Sequence, residues 1–119
     1  MPAIKPLQWL GSTKKDFAAM PMSVQDLFGY ALHLAQTDQK HSQAKPLSGF
    51  GGAGVLEVME THQGNAYRAV YTVRYAHTVY VLHCFQKKST RGITTPKRQI
   101  DLIKARLVIA GALERSKQP

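Results

Sequence analysis

Apolar positions change period partway along this chain, and the change divides it into helices and strands. Val24, Leu27, Phe28, Ala31, Leu34 and Ala35 recur every three or four residues, which is one apolar stripe of a helix. Ser23 starts that helix, with Asp26 three residues on as a weak capping box. Upstream, Ser12 can cap a shorter helix through Lys15, Phe17 and Met20, and Pro21 stops it. The two helices, joined by Pro21-Met22, read as a helical hairpin. Ile4 to Leu10 is a short first strand bounded by Pro6 and Gly11, and Gln36 to Gly54 is a polar, then glycine-rich loop.

Beyond Gly54 the period falls to two. Val55–Thr61, Ala66–Tyr75 and Thr78–Gln86 alternate as strands, separated by His62-Gln63-Gly64-Asn65 and Ala76-His77. Connections this short imply an antiparallel meander. In the middle strand Tyr67, Ala69, Tyr71, Val73 and Tyr75 share one face. Arg68, Val70, Thr72 and Arg74 share the other, which is expected to be open to a ligand. Thr95 as cap and Pro96 as first residue open a last helix. Ile100, Ile103, Leu107 and Ala110 form its buried stripe, with Lys97, Lys104 and Arg115 on a flank. The expected class is α+β: an N-terminal helical hairpin packed on a small antiparallel sheet, followed by a C-terminal helix. Residues 1–119 are expected to form one domain, with disorder confined to ends such as Glu114 to Pro119.

Charge sharpens this picture. The formal net charge is +9, and all of it lies in the C-terminal half. From Ala66 onward there are eleven Lys+Arg and two Asp+Glu; before that there are five of each. A one-sided basic field attracts polyanions and acidic partners. The single Cys84 allows no internal disulfide. No run approaches the ~20 apolar residues of a spanning helix, and the start MPAIKPLQWL lacks the signal-peptide pattern. The expected location is the cytoplasm, with no membrane association.

Gly49-Phe50-Gly51-Gly52-Ala53-Gly54 matches G-x-G-x-x-G, but it opens a strand where a dinucleotide loop opens a helix. It reads as a lead-in to the sheet, and no cofactor is expected. His33, His41, His62, His77, His83 and Cys84 show no metal-site spacing. His83 is the one candidate acid or base, lying just before the basic cluster. Strand parity places it with Val79, Val81 and Phe85, a row expected to be buried. Lys87, Lys88 and Arg91 follow the last strand, and Arg68 and Arg74 lie on its neighbour. Such cations can line a concave surface and stabilise the charge of a phosphate in strand cleavage. They equally suit a solvated basic edge that protects the sheet from aggregation. Charge alone leaves both readings open.

At YRAVY, at VLHCFQKKSTRGITTPKRQID and at TPKRQIDLIKARL the chain resembles the RelE/ParE toxin superfamily, in its HigB-like, phage Gp49-like branch. The resemblance runs from about Leu7 to Leu107 and includes the loop KPLSGFGGAGVLEV. It implies a RelE-like fold and the toxin of a bacterial type II toxin–antitoxin pair. Many such toxins are ribosome-dependent messenger RNA endoribonucleases; those of ParE type inhibit DNA gyrase. A non-catalytic regulatory module is a third reading. By resemblance Arg68 contacts the scissile phosphate, and Lys87 and Lys88 of the basic stretch join it in the catalytic set; His83, from its place just before that stretch, is the substitute acid or base. Arg74, Arg91, Lys97 and Arg98 are the expected RNA-binding residues. The ribose 2′-hydroxyl would be the nucleophile, so no metal is implied. The implied partners are the ribosome and messenger RNA, a helix-turn-helix antitoxin (HigA-like), and operator DNA through the antitoxin complex. Two departures stand out. Glu57 and Glu60 occupy a strand where well-understood members carry lysines, and Ile93-Thr94-Thr95-Pro96 lacks their Tyr or His. The resemblance therefore leaves the general base unassigned.

Overall fold

The computed structural model describes residues 4–52, 54–87 and 96–117. Five strands and three helices follow in the order β1 (Leu7–Trp9), α1 (Thr13–Ala18), α2 (Met22–Gln36), β2 (Lys45–Pro46), β3 (Val55–His62), β4 (Asn65–Thr72), β5 (Val79–Lys87) and α3 (Lys97–Ser116). They form one sheet of order β1-β5-β4-β3-β2, so the class is α+β.

The β3–β4–β5 meander is antiparallel, as the short connections require. The sheet as a whole is mixed, which corrects the all-antiparallel expectation. β1 runs parallel to β5, with Leu7 beside Val79 and Trp9 beside Val81. Parallel neighbours need a long crossover, and here both N-terminal helices and the meander supply it. β2 was not foreseen. It pairs Lys45 with Glu57 and Pro46 with Leu56, and proline is tolerated there because β2 is an edge strand.

α1 lies against β5, and α2 against β3. The α2 stripe Val24, Phe28, Ala31, Leu32 and Ala35 packs on Leu56, Val58, Ala69, Tyr71, Val79 and Val81. Full burial of each large apolar side chain contributes about 1.5–3 kcal/mol. The opposite face is not open along its length, contrary to the expectation for the row containing Arg68. Ile103 and Ala110 of α3 cover Val55, Val70, Tyr80 and Leu82 there. At Gly111 a Cβ would meet the Tyr75 hydroxyl at 2.9 Å, so the missing side chain permits that close approach.

The ends of the elements also depart from expectation. Pro21 and Pro96 hold the N-cap positions of α2 and α3 with extended backbone, and neither cap makes a side-chain bond. Asp26 therefore completes no capping box; Thr95 lies outside the described residues. Ser12 donates to the Asp16 carboxylate at 2.7 Å and makes no cap bond to the backbone. Glu114 is not at a disordered end. It is 3% exposed, within α3. The Tyr80 hydroxyl donates to it at 3.0 Å, and the His77 amide at 3.2 Å.

Candidate functional site

Near the start of α3 the sheet face it covers opens into a groove of about 670 Å³. The floor is Glu57 and Met59 of β3 with Arg68 of β4. The walls are the segment from Ser42 to Ser48 and Ile100 of α3, and Lys45 contributes a cation. Met59, 39% exposed, marks how far the groove admits solvent.

Arg68 sits between Met59 and Phe85 in the register. Its side chain is 3% exposed, and Nη1 donates to Glu57 Oε2 at 3.0 Å. A guanidinium this buried requires such a counter-charge. Glu57 pairs with Val70, one diagonal step from Arg68, so strand alternation places both side chains on the groove side. Lys87 stands opposite Ala66, two residues beyond Phe85 on the same side of β5. Lys97 and Arg98 are exposed in the first turn of α3, just before the groove residue Ile100. That turn carries no acidic residue of its own to offset the positive end of the helix.

Arg74 is not brought to this place. It lies six residues along from Arg68, roughly 20 Å at strand rise. There it donates to the Phe50 carbonyl at 3.3 Å and packs against Gly54, holding the glycine-rich loop. Lys88 and Arg91 lie outside the described residues.

His83 is buried, as expected, but in different company. A bulge pairs Val70 with His83 and Tyr71 with Val81, so Leu82 is the extra residue. Val79 and Val81 consequently face α2, while His83 turns toward α3. Its ring stacks on Phe85, with centroids 4.5 Å apart. Nε2 bonds to Gln99 Oε1, and Arg106 Nη1 lies 3.4 Å from Nδ1. Arginine only donates, which assigns the proton to Nε2 and the acceptor role to Nδ1. Burial lowers the His83 pKa; Gln99 opposes this shift and the Arg106 charge adds to it. The imidazole is thus neutral at neutral pH and engaged at both nitrogens.

Arg106 was not singled out from the sequence. It donates to the Leu82 carbonyl at 2.9 Å, at the bulge itself. Gly11, at φ +56°, makes room for it, since a Cβ there would lie 2.6 Å from Nη2. Helical arithmetic held the signal: Gln99, Ile103 and Arg106 fall at i, i+4 and i+7, on the side of α3 that meets the sheet. Cys84 is buried, and burial pushes its thiol up to about 12, so it is no nucleophile. Among the described residues no group of three or more His, Cys, Asp or Glu could hold a metal ion. Nor is any helix among them long and apolar enough to cross a membrane.

An α+β chain with a buried arginine in a groove flanked by cations suits a class of small basic proteins that engage anionic partners. The family profile described as phage derived protein Gp49-like (DUF891) matches residues 15–108. The chain belongs to this family, a family of RelE/HigB-like toxins. No curated protein and no solved structure gives a significant match.

Proposed function

We propose that this protein is the toxin of a bacterial toxin–antitoxin pair, with a RelE-like arrangement, and that it cleaves messenger RNA on the ribosome. The observation that carries this reading is the Arg68–Glu57 pair on the floor of the groove. The RNA backbone would lie along the groove, with Lys45, Lys87, Lys97 and Arg98 attracting its phosphates. Glu57 takes the proton of a ribose 2′-hydroxyl, filling the role that the resemblance left open. The 2′-oxygen then bonds to the adjacent phosphorus, and the bond to the 5′-oxygen breaks. The leaving oxygen takes a proton from water, and Glu57 returns its own to the solvent. The products are a 2′,3′-cyclic phosphate and a 5′-hydroxyl. Arg68 stabilises the charge that builds on the phosphoryl oxygens. His83 is assigned to structure here, because both of its ring nitrogens already serve neighbours.

The same pair also supports a second reading. Glu57 neutralises Arg68, and a groove floor whose two charges cancel suits a gyrase inhibitor or a binding module that cuts nothing. Mapping messenger RNA 5′ ends shortly after induction separates these readings. New 5′-hydroxyl ends inside reading frames, absent from an Arg68→Ala strain, are expected. Intact messages with arrested growth would transfer the assignment to gyrase. Intact messages with normal growth would leave a binding module.

A further inference from the structure

The outer side of α3 is apolar where a helix covering one sheet needs only polar residues. Leu102, Val108 and Ile109 are 36%, 71% and 50% exposed, and Ala105 and Ala112 are exposed beside them. At about 3.6 residues per turn, Leu102, Ala105, Ile109 and Ala112 align in one stripe, and Val108 adjoins it. The stripe points away from Ile103 and Ala110, which pack on the sheet, and away from Ile100 in the groove wall. It is therefore a surface separate from the Arg68 site.

Charge along this surface is one-sided. Lys97, Lys104 and Arg115 form an exposed row on one flank of the stripe, and Asp101 is the sole exposed acidic residue of α3. A second copy of the chain fits poorly. Antiparallel pairing of two such helices about a two-fold axis sets each basic row against its own counterpart. An acidic partner meets no such repulsion.

We propose that the outer side of α3 is the docking surface for an amphipathic helix of the antitoxin, apolar against Leu102, Ala105, Val108 and Ile109, and carrying carboxylates opposite Lys104 and Arg115. This rests on the reading of the chain as one half of a toxin–antitoxin pair.

The test co-expresses the full chain with the antitoxin encoded beside it, then measures affinity by titration calorimetry. Two double variants are compared with wild type: Leu102→Ser with Ile109→Ser, and Lys104→Glu with Arg115→Glu. All four side chains are exposed, so both variants should melt as wild type does. Each is expected to bind at least about tenfold more weakly, and the charge reversal should also flatten the salt dependence. Binding within about twofold of wild type by both folded variants would overturn the docking surface and leave the pair reading standing. A wild-type dimer in light scattering that Ile109→Ser dissolves would assign the face to a second copy instead. Absence of any complex with the wild-type chain would overturn both readings.

Discussion

Arg68 Nη1 and Glu57 Oε2 lie 3.0 Å apart, yet the two partners differ in access to water: the arginine side chain is 3% exposed and the glutamate 19%. Removing either therefore has unequal consequences. Glu57→Ala leaves a buried guanidinium without that carboxylate, a loss that costs about 3 kcal/mol or more in buried pairs. Arg68→Ala leaves a carboxylate that water can reach, and roughly half that cost is expected. Urea denaturation of both variants checks the order. Equal losses would contradict it.

Chemistry separates the same two residues differently. Glu57→Gln keeps the shape of the side chain but cannot take a proton. Under the proposed mechanism, cleavage by folded Glu57→Gln falls about 100-fold or more. Arg68→Lys keeps a charge but loses the planar fork, and a fall of similar size is expected. Single-turnover cleavage of a ribosome-bound message measures both. Full activity in Glu57→Gln would remove the carboxylate from the mechanism.

His83 predicts an acid-side loss of stability. Burial holds its pKa below the ordinary 6.5 in the folded state, so the unfolded chain takes up the proton first. The stabilisation is complete above that value and declines as pH falls from it toward the lower folded value. Melting temperatures of wild type and His83→Gln across this window give the test. The variant's profile should be the flatter of the two, with RNA cleavage at neutral pH changed by less than about tenfold.

Glu114 acts in a more acidic window. Burial pushes its carboxyl up, but the Tyr80 hydroxyl, the His77 amide and Thr78 together hold it below the usual 4.5. Its contribution is present above that ordinary value and is lost as pH falls through the lower folded value. Glu114→Gln should remove this pH dependence while leaving α3 helical, as circular dichroism against pH would report.

Cys84 should resist thiol reagents in the native protein at neutral pH, its thiol being pushed up to about 12. Unfolding in denaturant should expose one reactive thiol per chain, matching the single cysteine. Rapid native labelling would mean that β5 opens readily.

The helices and the meander were legible because their periods are clean. Val24 through Ala35 kept one helical stripe, and the three alternating runs became β3, β4 and β5. β2 escaped notice because two residues, one of them proline, carry no period. The parity argument failed at His83 because one bulged residue turns a side chain to the other face, and alternation cannot register an insertion. Arg68 was legible as a candidate. Its partner was visible only as a departure, a glutamate on a strand where lysines were expected. That Glu57 and Arg68 meet depends on a register set by residues on both strands. Arg74 shared the face of Arg68 by alternation, but distance along the strand separates their roles.

The parallel pairing of β1 with β5 has a consequence for the order in which this chain becomes folded. Leu7 must wait for Val79, a sequence separation that makes this edge one of the latest to close. The meander needs only local hairpins and can form first, leaving the N-terminal strand to dock last against a finished β5. On a translating ribosome, β1 would thus emerge well before the strand it pairs with and wait for it.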